Sequence, residues 1–128
     1  MTRLKNLSHI DFEKLCRDIL KAETGKRFSA FGPGPDGGVD GRHSKSDEAT
    51  VLQCKHYAGS SFANLKSSIR KEIPKISGLK PKRYLLCTSH SLTPKKSNEI
   101  ASILGSFLQA PEDIWGQEDL EEAIGRHP

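Results

Sequence analysis

The sequence predicts an α/β fold in which helices cover both faces of one central mixed sheet, a three-layer sandwich with the core order αβββαβ followed by αβα. Three observations predict it. Apolar residues recur at helical spacing in four separate stretches, with short apolar or alternating runs between them. In the second half helix and strand patterns take turns, as connections between parallel strands require. A length of 128 residues with 34% hydrophobic and 28% charged residues suits one folded domain over 1–128. The same figures exclude a membrane-spanning chain, because no apolar run approaches the ~18 residues that a span needs. They exclude intrinsic disorder, because the apolar periodicity continues from end to end. The basic N-terminus carries no apolar segment or cleavage site of a secretory signal.

The elements follow in order. Ser8 or Asp11 can cap a first helix running to about Glu23, with Phe12, Leu15, Cys16, Ile19 and Leu20 in one stripe and Gly25 as its stop. Residues 26–31 read as a strand. The GPGPDGG run at 32–38 is irregular. Residues 39–43 and 50–57 read as a hairpin. Ser60 or Ser61 opens a second helix with Phe62, Leu65, Ile69, Ile73 and Ile76 on one side, and Pro74 should kink or restart it. Residues 83–89 form a buried strand. Thr93-Pro94 is a cap followed by proline, which starts a third helix carrying Ile100, Ile103, Leu104, Phe107 and Leu108. A brief strand at 113–115 and a short helix at 118–125 close the chain.

The net charge is +4 and the isoelectric point near 9.0, and the basic residues cluster. Between Phe62 and Arg83 stand Lys66, Arg70, Lys71, Lys75, Lys80, Lys82 and Arg83 against Glu72 alone. Such a segment is an electrostatic footprint for a polyanion. Cys16, Cys54 and Cys87 are widely spaced among apolar neighbours, so buried free thiols are expected, consistent with a cytoplasmic protein. The five histidines show no zinc-binding spacing. Gly32 to Gly37 formally fit GxGxxG, but two prolines interrupt the run and a strand follows it, which excludes a dinucleotide site.

The chemistry concentrates in Asp36-Gly37-Gly38-Val39-Asp40-Gly41 and Val51-Leu52-Gln53-Cys54-Lys55. Alternation along a strand puts Gln53 and Lys55 on one face and Leu52 and Cys54 on the other. Polar groups on such a strand need a purpose or a partner. A hairpin pairing 39–43 with 50–55 brings Asp40 beside them. A carboxylate, an amide oxygen and an ammonium together suit phosphodiester hydrolysis. Mg²⁺ takes oxygen ligands and activates water, while a lysine orients that water or offsets developing charge. Glu13, on the shoulder of the first helix's stripe, can reach toward the sheet edge.

Taken together, Phe12-Glu13-Lys14-Leu15, Gly37-Gly38-Val39-Asp40-Gly41 and Gln53-Cys54-Lys55-His56-Tyr57 resemble the Mrr-like branch of the PD-(D/E)xK, or restriction endonuclease-like, nucleases. The resemblance covers about residues 8–90, leaving 91–128 as an αβα extension. It implies a restriction endonuclease-like fold and a Mg²⁺-dependent deoxyribonuclease, with Mn²⁺ as a substitute. It also implies that Asp40, Gln53, the Cys54 carbonyl and Glu13 hold the metal and that Lys55 is the catalytic lysine. Gln53 stands where the wider superfamily has Glu, so the site carries one negative charge fewer. As a residue of the site rather than of the packing, Lys55 is expected to be replaceable by alanine with little change in melting temperature.

Lys66, Arg70, Lys71 and Lys75 are expected to neutralise phosphates of double-stranded DNA, with little sequence specificity. Two other readings compete. One is a nuclease-fold DNA-binding or assembly module without activity, and the other a junction resolvase. Residues 113–128 resemble the junction after such domains in larger bacterial defence proteins, including STAND-type NTPases. The expectation is an effector in antiphage defence or restriction, joined to a C-terminal sensor or NTPase part and acting as a dimer or larger oligomer.

Overall fold

The computed structural model describes residues 4–30, 43–45, 50–57, 61–79 and 81–127. Helix α1 (His9–Thr24) starts where the Ser8 hydroxyl accepts the Asp11 N–H at 3.1 Å. It stops at Gly25, whose φ of 76° suits glycine and whose N–H returns to the Lys21 carbonyl at 2.9 Å. Strands β1 (Ser29–Ala30), β2 (His43–Lys45) and β3 (Thr50–Lys55) form an antiparallel meander, with His43 opposite Gln53. Helix α2 (Phe62–Leu79) crosses to β4 (Arg83–Thr88), which lies parallel to β3 with Lys55 beside Thr88. Helix α3 (Pro94–Leu104) begins where the Thr93 hydroxyl accepts the Lys96 N–H, with Pro94 in the first turn. It leads through two 3-10 turns to β5 (Ile114–Trp115), parallel to β4, and α4 (Gln117–Arg126) follows.

The result is one mixed sheet in the order β1-β2-β3-β4-β5. Alternation along its central strands fills both faces. Leu52, Cys54, Leu85 and Cys87 pack with Phe12, Cys16 and Leu20 of α1 and Leu120 and Ala123 of α4. Val51, Tyr84 and Leu86 pack with Leu65, Ile69 and Ile76 of α2 and Ile100 and Leu104 of α3. The expected three layers and the order αβββαβ, then αβα, are therefore present among the described residues.

Several boundaries differ from the sequence expectation. Helix α2 runs through Pro74 as one helix rather than restarting there. Pro74 is exposed, as is Arg70 one turn earlier, so the carbonyl that loses its N–H partner faces water. Helix α3 ends at Leu104, yet Phe107 and Leu108 still pack against its core. Strand β2 runs on to Lys45, two residues past the expected end at 43; residues 31–42, which hold the rest of the expected 39–43 strand, lie outside the described residues.

Two polar clamps tie the extension to the core. Asp113, 3% exposed, accepts Nε and Nη2 of Arg83 at 3.3 and 2.9 Å, joining β4 to the turn before β5. Arg83 is thus committed to Asp113 and does not serve the basic segment in which the sequence places it. Glu23, near the end of α1, accepts Arg126 at 3.0 Å and His127 at 2.5 Å. The Arg126 guanidinium and then His127 hold its carboxyl below the usual carboxylate range. This tie between α1 and α4 is therefore lost only in acid, as the pH falls through that lowered value. The three cysteines are free and buried, as expected; burial, and then the neighbouring thiols of Cys54 and Cys87, push the Cys16 thiol well up.

Candidate active site

Strand β3 carries the expected residues into the interior. Gln53 is fully buried and Lys55 is 2% exposed, on the face turned toward α2. An ammonium at that depth requires a partner. Lys55 Nζ donates to Glu72 Oε1 at 3.2 Å across the gap between β3 and α2. Glu72 is itself 7% exposed. The sequence reading treats Glu72 only as the lone acid of a basic run. The overlooked signal is its spacing, because Leu65, Ile69, Glu72 and Ile76 fall on one helical stripe. A carboxylate on a core-facing stripe needs a buried cation. The expectation that Lys55→Ala leaves melting unchanged is corrected accordingly, since Lys55 is half of a buried ion pair.

Gln53 has a different neighbour. Its Oε1 accepts a hydrogen bond from the Tyr84 hydroxyl on β4. Burial, and then the negative Glu72, push the Tyr84 phenol well up, so it remains a donor and fixes the amide oxygen as acceptor. Gln53 Nε2 has no hydrogen-bond partner among the described residues. Four polar side chains thus occupy the same layer beneath α2: Gln53, Lys55, Glu72 and Tyr84.

A cavity of about 430 Å³ opens over this layer, lined by Lys55, Tyr57, Asn64, Ser67, Ser68, Lys71, Glu72 and Lys75. Its base holds the ion pair and its rim is basic and hydroxylic, which suits a phosphate chain. Lys71 and Lys75 therefore stand with Lys55. Lys66 and Arg70 lie farther round α2, lining a shallower groove with Glu99, Ser102 and Ile103 of α3, where Lys66 Nζ meets Glu99 at 3.2 Å. Lys66 and Lys96 also approach the Phe62 ring, at 4.9 and 5.3 Å from its centroid. A further hollow of about 420 Å³ between β5 and α4 presents Glu112, Asp119 and Glu122 against Arg126 alone, a balance that repels a polyanion.

The end of β3 is fixed by a chain of hydrogen bonds. His56 Nε2 lies 2.6 Å from the Leu7 carbonyl, which can only accept, so Nε2 carries the proton. His56 Nδ1 then accepts the Ser89 hydroxyl at 2.7 Å, and Ser89 Oγ accepts the Tyr57 N–H at 2.9 Å. The imidazole stacks on Phe12 with centroids 4.7 Å apart. This network joins the start of α1 to the ends of β3 and β4. Glu13, half-buried, follows Phe12 on α1, whose packing is with the face of β3 opposite to Lys55. Asp40, with the Asp36–Gly41 run, lies outside the described residues. No group of three or more His, Cys, Asp or Glu side chains able to hold a metal occurs among the described residues. Nor is any of their helices long and apolar enough to cross a membrane.

A mixed sheet whose central strand ends in a buried lysine, paired with an acid of the facing helix beneath a basic cavity, fits the class of restriction endonuclease-like α/β proteins. The chain belongs to the restriction endonuclease family with the Mrr catalytic domain, which matches residues 4–103. It is a nuclease domain, which implies contact with DNA, and its fold is one that typically uses divalent metals. It is also similar to the uncharacterized protein y4cD of Sinorhizobium fredii (strain NBRC 101917 / NGR234), with 48% identity over 122 residues, 95% of this chain and 19% of that protein. The chain thus spans about a fifth of that relative's length. No solved structure matches it.

Proposed function

We propose that the chain is a metal-dependent endonuclease that hydrolyses double-stranded DNA with little sequence specificity. The observation that carries this is Lys55, buried at the end of β3 and opening onto the basic cavity. Asp40, Glu13, Gln53 and the Cys54 carbonyl are the proposed holders of Mg²⁺, or of Mn²⁺ in its place. Asp40 precedes by three residues the strand that pairs with β3 opposite Gln53. When bound, the cation polarises the scissile phosphoryl oxygen and acidifies a water.

Lys55 has three N–H donors, of which Glu72 takes one. The others serve a water or a phosphoryl oxygen in the cavity. Lys71 and Lys75 guide the phosphate chain to it, and Asn64 and Ser67 add hydrogen-bond donors at the rim. Within a longer protein, the domain would act as the effector of a defence system, paired with a second copy to cut both strands.

The direct test is supercoiled plasmid with Mg²⁺ or Mn²⁺, alongside Asp40→Asn. Nicking or linearisation that needs metal, stops with a chelator and vanishes in Asp40→Asn is expected. Metal-independent cleavage would refute the mechanism. Gln53, held by Tyr84 rather than facing the cavity, favours a second reading, an inactive DNA-binding module. That reading predicts DNA binding with no cleavage, even after forced dimerisation.

Binding itself should fall steeply with salt. Replacing Lys71 and Lys75 together by alanine should lower the slope of log K against log salt by about 2, at ~0.9 per phosphate contact. Lys66→Ala, whose charge already meets Glu99, should change that slope by less than ~0.5. Fluorescence anisotropy on a short labelled duplex measures both. Equal slopes for all variants would place the phosphate path elsewhere.

A further inference from the structure

We propose that the cavity between β3 and α2 seats a terminal phosphate, the monoester group at the end of a nucleic-acid strand. The inference deepens the hydrolytic reading above, and its role as a product seat rests on that reading.

Charge selects the ligand. Lys55, Lys71 and Lys75 line this hollow with Glu72 as their one acid. Three ammonium groups and one carboxylate leave a surplus of two positive charges. Glu72 is engaged at the base, where Lys55 Nζ lies 3.2 Å from its Oε1. Lys71 and Lys75, one turn apart on α2, meet no carboxylate among the described residues, whereas Lys66, Arg83 and Arg126 each do. The surplus therefore favours an anion. A phosphodiester link in a strand carries one negative charge. A phosphate monoester carries about 1.5 to 2 at pH 7 and offers three terminal oxygens. The monoester is the better match. The ammonium groups, the Tyr57 phenol and the Ser67 hydroxyl supply donors for its oxygens. At about 430 Å³ the hollow also has the size of a small-molecule site, with room for the terminal sugar.

Hydrolysis itself makes such a group. A water oxygen joins phosphorus, the bond to the departing strand oxygen breaks, and that oxygen keeps a proton as a hydroxyl. The same cations thus meet a diester before the cut and a monoester after it. The site then holds the broken end more tightly than the intact strand, and release of that end slows turnover.

The test uses a short DNA hairpin with one open end and a fluorophore in its loop, read by anisotropy with a chelator present. The open end carries a 5′-phosphate, a 3′-phosphate or hydroxyls alone. At least one phosphorylated end should bind the wild-type chain about fivefold more tightly than the hydroxyl end, the gain of one further charge at contact distance from a cation. The two phosphorylated hairpins show which strand end the cavity takes. Replacing Lys71 and Lys75 together by alanine should reduce the ratio below about twofold. Arg70→Ala, on the other flank of α2, should weaken all three hairpins alike and keep the ratio.

Equal affinity for all three ends, or a ratio that survives the double variant or disappears in Arg70→Ala, would overturn the proposal. None of these outcomes depends on metal, so the plasmid assay still decides the nuclease reading. If plasmid cleavage fails while the ratio holds, the cavity binds strand ends without cutting them.

Discussion

Lys55→Ala should cost about 3–5 kcal/mol of folding stability, the usual penalty for breaking a buried ion pair from one side. The reason is the carboxylate left behind. Glu72 is 7% exposed and faces the sheet, so water replaces the 3.2 Å bond to Lys55 Nζ only poorly. Urea unfolding followed by circular dichroism measures the loss. The double variant Lys55→Met, Glu72→Leu should recover most of it, because two apolar side chains fill the same space with no charge to solvate. It should nevertheless have no nuclease activity. A loss below about 1 kcal/mol in the single variant would show that the pair is solvated or easily rearranged.

Phe12→Ala should cost a similar amount, about 3–5 kcal/mol, as large-to-small changes at fully buried aromatic sites do. Its effect should also spread farther than the cavity it leaves. The ring supports the His56 imidazole, and His56 bonds the Leu7 carbonyl on one side and Ser89 on the other. Without the ring, amide exchange should quicken at Tyr57, whose N–H ends in that network. Phe12→Leu should recover much of the stability and less of the exchange protection, because it restores volume but not the stacked face. Unchanged protection at Tyr57 in Phe12→Ala would show that His56 holds its place without the ring.

These two sites mark what the sequence made legible. Local signals were reliable where the cause was local. Ser8, Gly25 and Thr93-Pro94 bound helices as their chemistry requires, and alternation correctly set Gln53 and Lys55 on one face of β3. The partners of those side chains were not legible. Glu72 is 17 residues from Lys55 and Tyr84 is 31 from Gln53, so each pairing depends on how α2 and β4 dock on β3. The basic segment was over-read for the same reason. Charge along a chain does not show which cations already have a carboxylate, and Arg83 and Lys66 do. Pro74 shows the limit of a local rule, because its cost depends on whether it faces water or core.

The shortness of β5 bears on how two such domains could meet. Ile114–Trp115 forms the outer strand on that side, only two residues long and closed off by a 3-10 turn before it and α4 after it. An incoming strand would find almost no ladder to extend, so this border resists fusion of sheets between molecules. A second copy arriving there would have to be recognised by side chains on the flanking helices. Partner choice on that side would then be set by surface residues that can vary without disturbing the strands beneath the cavity.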